Sequence, residues 1–323
     1  MEAEEGMKQA YLFVHFREKK TPDGEQVHFA LSRDGLRWDT LNQGRPVLWS
    51  FRGDLGVRDM TIIKAQDGLF HIIATDLSLA YCMPGKYAGS WETITQQGSK
   101  ALMTWSSPDL IHWGRQREIR FDQPDFGCLW APDILFDEEQ GGYLLHWSST
   151  VLDAGAAHHA IWCSVTRDFT TWSKPALLYK KAGTSVIDSA IYRENGAYYL
   201  FVKSSKDPQA VTMLRGASAR GPFEPEDNAF IGIRPEEADK YEAPTAFRLE
   251  DGRWCLLVDY YGVPGKGQGY VPFLADTLGS GHFRRADEAF SFPYGFKHGT
   301  VLTITPLEYE RLWRQTEWPE VPD

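Results

Sequence analysis

The chain has 323 residues, of which 42% are hydrophobic and 14% aromatic, so it can bury a large core and is too apolar to be disordered over most of its length. Its 44 acidic residues outnumber its 34 Lys and Arg residues, and the net charge of −10 argues against nucleic acid or an anionic membrane as a partner. No apolar run approaches the roughly 20 residues that span a bilayer.

The amino terminus and the cysteines both bear on the cellular compartment. The first six residues, MEAEEG, are acidic, whereas a secretory signal begins with positive charge and continues into an apolar stretch. Cys163 and Cys255 lie in apolar runs, and the four cysteines show no zinc-site spacing, so reduced thiols in a core fit them best. We therefore expect a cytoplasmic protein, or a secreted one whose signal was removed.

In chain order, the elements begin with two apolar runs, Tyr11–Phe16 and Gln26–Leu31, which predict two strands of a first sheet. Four β-hairpins follow, each with a carboxylate near the start of an apolar strand, a polar turn that contains glycine, and a second strand. These hairpins span residues 58–73, 131–147, 187–202 and 242–258. The last apolar run, His298–Ile304, has the character of the innermost strand that the first sheet lacks.

The repeat distance indicates the architecture. The hairpin carboxylates, Asp59, Asp133, Asp188 and Glu242, are separated by 74, 55 and 54 positions, which is the scale of a propeller blade with variable loops. We therefore predict an all-β fold, a five-bladed β-propeller closed by pairing of the N- and C-terminal strands, which removes an open sheet edge. We expect residues 1–323 to form one such domain.

Two further patterns accompany the hairpins. A Ser/Thr-x-Asp-x-x-x-Trp sequence recurs at residues 32–38, 107–113 and 166–172, and it predicts a structural turn whose Trp packs on the outer strands of a blade. Two segments, Tyr81–Lys100 and Tyr260–Tyr270, break the strand pattern and carry aromatic residues. They could help to wall a sugar pocket or be plain surface loops.

The hairpin carboxylates are the candidate chemical groups. Innermost strands surround the propeller axis, so we expect Asp59, Asp133, Asp188 and Glu242 to occupy comparable positions around one mouth. Mutual repulsion makes such a ring costly unless it is used or paired. Glycoside cleavage needs such groups, because one carboxyl must protonate the leaving oxygen while another is ionised. Acidic residues also end strands as turn caps, so spacing alone leaves a structural alternative open.

Five short motifs follow one another in a distinctive order. They are RD at residue 58, WAPD at 130, ID at 187, YEAP at 241 and HG at 298. This order resembles glycoside hydrolase family 43 over about residues 50 to 304, and the WAPD tetrapeptide before an apolar hairpin is its most specific part.

The resemblance implies an inverting reaction with three catalytic residues. Asp59 would be the general base that activates water, Asp188 would tune the pKa of the acid and hold it, and Glu242 would be the general acid. Base and acid would then lie about 6.5–9.5 Å apart to admit a water molecule. The implied substrate is the terminal sugar of a plant-type oligosaccharide, with α-L-arabinofuranosidase first and β-D-xylosidase, β-galactosidase or galactofuranosidase as alternatives.

Four further residues are candidate substrate contacts: Arg58, Trp130, Asp133 and His298. Trp130 could stack on a sugar or pack in the core. Asp133 is outside the three catalytic groups of the family, and a structural role fits it better than a substrate contact. Some relatives hold a water or a Ca²⁺ ion near the position of His298, but no acidic cluster accompanies it here. We therefore predict no required cofactor and no metal ligand, with a bound Ca²⁺ ion or an ordered water near His298 as the alternative.

Two departures from the family pattern bear on activity. Met60 follows the base where the family usually has Pro, and Ala243 follows the acid where it usually has Gly. Both changes could shift a carboxylate slightly, because Pro fixes φ and Gly permits close approach. Neither removes an acid or base, so we expect an active enzyme.

An alternative outside enzymology is a sugar-binding propeller that has lost its chemistry, since fold alone does not establish function. The complete set Asp59, Asp188 and Glu242 favours catalysis, because nothing else would require three mutually repelling acids around one pocket. A protein-interaction propeller of the WD-repeat kind fits less well, because the repeat spacing is irregular.

Overall fold

A computed structural model describes residues 8–17, 19–121, 123, 125–153, 156–206, 208–225, 230–231, 240–261, 269–293 and 295–318 of the chain. Within these residues the strands form five sheets of antiparallel strands, one of which carries an additional short parallel strand. The five sheets are the blades of a five-bladed β-propeller, which confirms the predicted fold class. The extent of one domain over residues 1–323 stays a prediction.

The blades follow the chain in order. The first contains β1 (Ala10–Arg17), β2 (His28–Ser32), β3 (Asp39–Thr40) and the last strand of the chain, β21 (Phe296–Ile304). The second contains β4 (Val57–Lys64), β5 (Phe70–Asp76), β6 (Ala101–Ser107) and β7 (Arg117–Arg120). The third contains β8 (Trp130–Asp137), β9 (Gly142–Asp153), β10 (Ala156–Thr166) and β11 (Ala176–Tyr179).

The remaining strands complete the ring. The fourth blade contains β12 (Val186–Glu194), β13 (Ala197–Ser204), β14 (Ala210–Gly216) and β15 (Glu224–Pro225). The fifth contains β17 (Tyr241–Arg248), β18 (Trp254–Tyr260), β19 (Gly269–Ala275) and β20 (His282–Arg285), with β16 (Phe230–Ile231) parallel to β20. Strands β21, β4, β8, β12 and β17 contact one another in a closed ring and are therefore the innermost strands.

The ring is closed by the two ends of the chain. Strand β21 pairs antiparallel with β1 from Ala10↔Ile304 to Arg17↔Phe296. The predicted closure is thus confirmed, and β21 is the innermost strand that the amino-terminal sheet lacks. Closure in this way pairs the edge of β1 that would otherwise be the open inner edge of the first sheet.

Each innermost strand of blades two to five contains a β-bulge at the same place. The antiparallel register shifts between Arg58 and Thr61, between Trp130 and Asp133, between Ile187 and Ala190, and between Glu242 and Thr245. The first residue inside each bulge has positive φ: Asp59 (50°), Ala131 (49°), Asp188 (56°) and Ala243 (53°). The bulges re-aim the side chains at the strand ends.

The bulges correct the predicted equivalence of four carboxylates. Asp59 and Asp188 do occupy the same bulge position, but Glu242 lies one residue before it and Asp133 two residues after it. The prediction of comparable positions was therefore wrong for Glu242 and Asp133. The hairpin pattern places a carboxylate near each strand start, whereas the exact register depends on a bulge that local spacing does not reveal.

The three Asp-Trp turns are structural, as predicted. In each turn the Asp carboxylate accepts hydrogen bonds from the backbone amides two and three residues later, as Asp168 does from Thr170 and Thr171, both at 2.8 Å. The Trp that follows packs on an aromatic ring: Trp38 on Phe13, Trp113 on Phe29 and Trp172 on Phe121.

Short helices decorate the propeller. The segment Tyr81–Lys100, predicted as a pocket wall or a surface loop, includes α2 (Trp91–Gln97), and α1 (Leu79–Cys82) overlaps its start. Of the other such segment, residues 262–268 lie outside the described residues. A third helix, α3 (Pro306–Arg314), follows β21 and buries Tyr309 and Leu312 against the first blade. None of the helices described is long and apolar enough to cross a membrane.

Candidate active site

The bulged strand ends and the closing strand bring the predicted acid–base residues together. His298 Nδ1 on β21 is 3.3 Å from Asp59 Oδ1 on β4. Asp188 on β12 accepts a hydrogen bond through Oδ2 from the backbone amide of Ala243, at 3.2 Å, and Ala243 directly follows Glu242. Four different blades therefore meet at this site through Asp59, Asp188, Glu242 and His298.

Asp59 is held in its ionised form. Burial favours the neutral carboxyl, but a hydrogen bond from His298, the positive charges of His298 and Arg58, and a hydrogen bond from Thr75 together lower the pKa of Asp59. Its side chain is still 17% exposed, so water can reach it. An ionised and accessible carboxylate is what a general base requires.

The pKa of Glu242 shifts in the opposite direction to that of Asp59. Burial, followed by the negative charges of Asp188 and Asp259, raises its pKa to about 8, against the opposing charges of Lys297 and His298. Glu242 is therefore protonated near neutral pH and can donate a proton. Two carboxyl groups of one site whose pKa values are driven apart can divide into an acid and a base.

Asp188 connects the two groups. Burial raises its pKa, the charge of His298 lowers it, and the charge of Asp59 raises it. Its backbone amide donates to Ser148 Oγ at 3.1 Å, which fixes the bulge, while its carboxylate holds the backbone of Ala243. Asp188 thus both positions Glu242 and disfavours its ionisation.

His298 is an imidazolium among carboxylates. Burial lowers its pKa, but the hydrogen bond and charge of Asp59, with the charges of Asp188 and Glu242, outweigh burial and raise the pKa to about 9. Within the described residues, no group of three or more His, Cys, Asp or Glu side chains is arranged to hold a metal ion. A water or a Ca²⁺ ion near His298 stays a prediction.

A second, fully buried ion pair lies behind Glu242. Lys297 Nζ is 2.8 Å from Asp259 Oδ2, and the two side chains are 6% and 0% exposed. Asp259 is the cross-strand partner of Glu242, and Lys297 precedes His298 on the closing strand. Sequence reasoning missed this pair, although a carboxylate inside the apolar run of β18 was a signal that could have been followed.

The other predicted contacts lie around this centre. The Arg58 guanidinium lies 2.9 Å from the buried Glu25 carboxylate and 4.4 Å above the Phe16 ring. Asp133 accepts a 2.7 Å hydrogen bond from the Thr61 hydroxyl, and burial raises its pKa to about 6. These contacts anchor both residues to the protein, and the structural role expected for Asp133 stays a prediction.

Trp130 is partly exposed at the start of β8. Its ring stacks on His159 at a centroid distance of 4.9 Å and meets the ring of Trp91 at 6.4 Å, nearly edge to face. The sequence left packing and sugar stacking open, and the ring does pack while keeping one part accessible.

The two departures from the family pattern have different environments. Met60 is fully buried in the apolar cluster between the first and second blades, where its side chain fills space. Ala243 is also buried, and its φ of 53° is a conformation that glycine adopts at lower cost. Neither residue disturbs the contact between Asp59 and His298 or that between Asp188 and residue 243.

The five-bladed fold with carboxylates from several blades at one centre is the arrangement of a family 43-related glycosyl hydrolase domain. Residues 7–310 match the model of a family described as a probable glycosyl hydrolase domain, related to glycoside hydrolase family 43. The chain belongs to this family.

Comparison with individual proteins agrees with this class. An α-L-arabinofuranosidase of Bifidobacterium longum subsp. longum is 25% identical over 217 residues, which are 61% of this chain and 20% of that protein. The chain therefore spans about a fifth of the length of that curated relative.

Solved structures share the fold. An engineered family 43 glycoside hydrolase with endo-xylanase and exo-arabinofuranosidase activity matches with a TM-score of 0.59 and 14% identity, over 93% of this chain and 53% of that chain. A family 43 protein of Bacillus licheniformis matches with a TM-score of 0.56 and 14% identity, over 91% of this chain and 58% of that chain. An arabinanase of Bacillus subtilis matches with a TM-score of 0.50 and 17% identity, over 74% of this chain and 82% of that chain.

Proposed function

We propose that this protein is an inverting exo-glycosidase in which Asp59 is the general base, Glu242 the general acid, and Asp188 the residue that tunes and positions the acid. The observation that carries the proposal is that the pKa values of two carboxyls at one site shift in opposite directions. His298 lowers the pKa of Asp59, whereas burial, Asp188 and Asp259 raise the pKa of Glu242 to about 8. At neutral pH Asp59 is thus ionised while Glu242 is protonated.

The proposed reaction is a single displacement. Asp59 takes a proton from a water molecule whose oxygen bonds to the anomeric carbon, while the bond from that carbon to the leaving oxygen breaks. Glu242 gives its proton to the leaving oxygen, so the products are a free sugar of inverted configuration and a neutral alcohol. Proton exchange with solvent then restores Asp59 and Glu242. His298 favours the ionised base between turnovers.

We place α-L-arabinofuranosides first among substrates of the oligosaccharide class. The support is the arabinofuranosidase relative, which matches this chain over 217 residues, 20% of its own length. β-D-Xylosides, β-galactosides and galactofuranosides are the alternatives, because the loops at the pocket select the sugar. A non-catalytic sugar-binding propeller is less favoured, since binding alone would not require an acid and a base held in opposite protonation states.

The experiment is hydrolysis of p-nitrophenyl α-L-arabinofuranoside, β-D-xyloside, β-D-galactoside and β-D-galactofuranoside by four proteins. These are the wild type, Asp59→Asn, Glu242→Gln and the control Glu250→Gln, which changes an exposed carboxylate away from the mouth. We expect one preferred substrate and a loss in kcat/KM of about 100-fold or more for Asp59→Asn. The loss for Glu242→Gln should be smaller on these substrates, because p-nitrophenolate leaves with little help from a general acid. If the wild type hydrolyses none of the four substrates but still binds sugar, the result would support the non-catalytic sugar-binding propeller instead.

The stereochemistry is tested separately. Proton NMR during early hydrolysis of an α-linked substrate should show the β-anomer of the sugar first, because the proposed mechanism has one displacement. First release of the α-anomer would contradict an inverting mechanism while leaving the glycosidase class intact.

The remaining expectations concern cofactor, partners and location. We propose a reaction without a cofactor, which predicts unchanged activity after dialysis against a chelator. A cytoplasmic location stays a prediction, and so does the absence of nucleic-acid and anionic-membrane partners, which follows from the net negative charge.

A further inference from the structure

The segment between β5 and β6 is a packed insertion with a small core of its own. Leu77, Leu79, Tyr87 and Ile94 are buried together, and Trp130 of the third blade packs against them. Residues 77–100 therefore bridge the second blade and the start of β8. A segment with an apolar core and a partner on a neighbouring blade is held in place, in contrast to a plain surface loop.

Three carboxylates fasten this insertion to the propeller. Glu25 accepts from the Ser78 hydroxyl at 2.8 Å and from the Ala80 amide at 2.9 Å. The other two anchors are Asp54, which accepts from Lys86 Nζ at 2.6 Å and from the Tyr87 hydroxyl at 2.5 Å, and Asp76, which accepts from the Ser99 hydroxyl at 2.5 Å. Glu25, Asp54 and Asp76 are themselves almost fully buried.

On this fixed support, Trp91 is 49% exposed. It is a large apolar ring that the insertion leaves in solvent, although the insertion buries four neighbouring apolar side chains. Its ring meets Trp130 at 6.4 Å with an interplanar angle of 88°, and Trp130 in turn stacks on His159. The two indoles form an angled surface with one side open.

Short hydrogen-bond paths connect the backbone at Trp130 to Asp59 and Asp188. The amide of the next residue, Ala131, donates to Thr75 Oγ1 at 2.9 Å, and the Thr75 hydroxyl bonds to Asp59. The cross-strand partner of Trp130 is Ser148, whose hydroxyl accepts from the Asp188 amide. Trp130 therefore borders the pocket, and Trp91 lies next to it on the solvent side.

We propose that Trp91 and Trp130 form a stacking site for the sugar ring on the leaving-group side of the bond that is cut. This assignment rests on the proposed exo-glycosidase function. In an exo-acting enzyme the terminal sugar enters among the carboxylates, so the next ring emerges at the rim, where Trp91 is exposed. The apolar face of a sugar packs well on an indole, and a ring held by a packed insertion is preorganised for that contact.

The test is a binding comparison in the Asp59→Asn background, so that substrate is not consumed. Calorimetry is carried out with arabinotriose, xylotriose and galactotriose, each beside its monosaccharide, for Trp91→Ala and for the control Trp313→Ala. Trp313 on α3 is 47% exposed, almost the same as Trp91, but packs on Tyr309 of its own helix. We expect one trisaccharide to bind at least about tenfold more tightly than its monosaccharide.

The prediction is that Trp91→Ala abolishes most of this trisaccharide advantage and leaves monosaccharide binding unchanged, while Trp313→Ala changes neither. Trp91→Phe, which keeps an aromatic face, should retain part of the advantage and provides the answer if the Ala variant folds poorly. Equal trisaccharide affinity in the Asp59→Asn parent and in the same protein carrying Trp91→Ala, or no trisaccharide advantage at all, would overturn the proposal. Because binding is measured, this result is independent of whether the wild type hydrolyses any glycoside.

Discussion

His298 Nδ1 and Asp59 Oδ1 lie 3.3 Å apart, and this contact joins β21 of the first blade to β4 of the second. The contact exists because β21 completes the first blade as its innermost strand. Closure of the propeller therefore also supplies the positive charge that keeps the proposed base ionised. The fold and the chemistry depend on the same strand.

The first prediction concerns His298→Gln, which keeps a polar group but removes the charge. His298 lowers the pKa values of both Asp59 and Glu242, so both should rise in the variant. The two limbs of the kcat/KM profile should then move to higher pH by about one unit. His282→Gln, at an exposed position on β20, is the matched control and should leave the profile unchanged. A profile unaltered by His298→Gln would argue that this histidine is purely structural.

The second prediction concerns the basic limb of the kcat/KM profile, where activity falls as pH rises. Glu242 must be protonated to act as the acid, and its pKa of about 8 predicts that kcat/KM falls as pH rises above that value. In Glu242→Gln this limb should disappear, because the group that titrates is gone, and the remaining activity should be greatest on substrates with good leaving groups. Persistence of the limb in the variant would assign the acid to another residue.

The third prediction addresses the buried pair behind the acid. Lys297→Met leaves Asp259 as an unpaired charge in a fully buried place, which should cost about 3–5 kcal/mol of unfolding free energy. The double variant Lys297→Met with Asp259→Leu should recover much of that loss. Lys64→Met, which removes an ion pair whose Lys side chain is 46% exposed, is the control and should cost about 1 kcal/mol or less. Urea unfolding measures all three.

The single variant also has a catalytic readout. Lys297 opposes and Asp259 supports the raised pKa of Glu242, whose other charged neighbours are Asp188 and His298. Loss of the lysine alone should therefore move the basic limb of kcat/KM to higher pH. An unchanged limb would mean that Asp259 takes up a proton once it is unpaired.

The blades were predictable from sequence because their signals are local. A turn with glycine between two apolar runs specifies a hairpin within about 16 residues, and the Asp-Trp turns are satisfied by their own backbone amides. The site was predictable less completely. Asp133 and Glu242 were misplaced relative to Asp59 because a bulge shifts the register of each inner strand against the next strand of its hairpin, and the spacing of residues does not show where the bulge lies.

Other parts of the site depend on contacts that are remote in sequence. The Asp259–Lys297 pair joins residues of different blades. The Trp91–Trp130 contact depends on an insertion core of buried side chains and on anchoring carboxylates, of which Glu25 lies 53 residues before its partner Ser78. No periodicity or short motif encodes such contacts. Residue chemistry could indicate candidates, but tertiary packing decides which of them meet.

The fourth prediction is acid sensitivity of the fold from buried histidines. Burial lowers the pKa of His146 to about 3, compared with 6.5 for an unfolded chain. The unfolded state therefore binds more protons below pH 6.5, and stability falls as pH decreases from there towards about 3, at up to about 1.4 kcal/mol per unit for this residue. His146→Asn can keep the bond that Nδ1 makes with Ser189 at 2.7 Å, and it should show a shallower decline.

The matched control for this titration is His282→Asn, because His282 is exposed. Chemical unfolding at a series of pH values should give parallel curves for the control and the wild type and a smaller slope for His146→Asn. His28, His71 and His159 also have pKa values lowered to about 4 by burial, so the decline should be reduced and not removed. Identical slopes for all three proteins would contradict a neutral buried His146.

The fifth prediction tests the backbone next to the acid. Ala243 has φ of 53°, a conformation that costs an L-residue with a Cβ about 1–2 kcal/mol. Ala243→Gly removes that cost but also a buried methyl group, so its stability should lie near that of the wild type. Ala246→Gly, at a buried position of the same strand without positive φ, has no strain to release and should lose about 1 kcal/mol.

The two glycine variants should therefore differ by about 1 kcal/mol or more in unfolding free energy, measured by urea titration at one pH. Asp188 accepts a hydrogen bond from the backbone amide of residue 243, and this amide is present with either alanine or glycine. Ala243→Gly should therefore leave Glu242 in position and retain the basic limb of the kcat/KM profile. Equal losses for both variants would show that the bulge relaxes around alanine without strain. In that case the replacement of glycine by alanine after the acid has no energetic consequence for the active site.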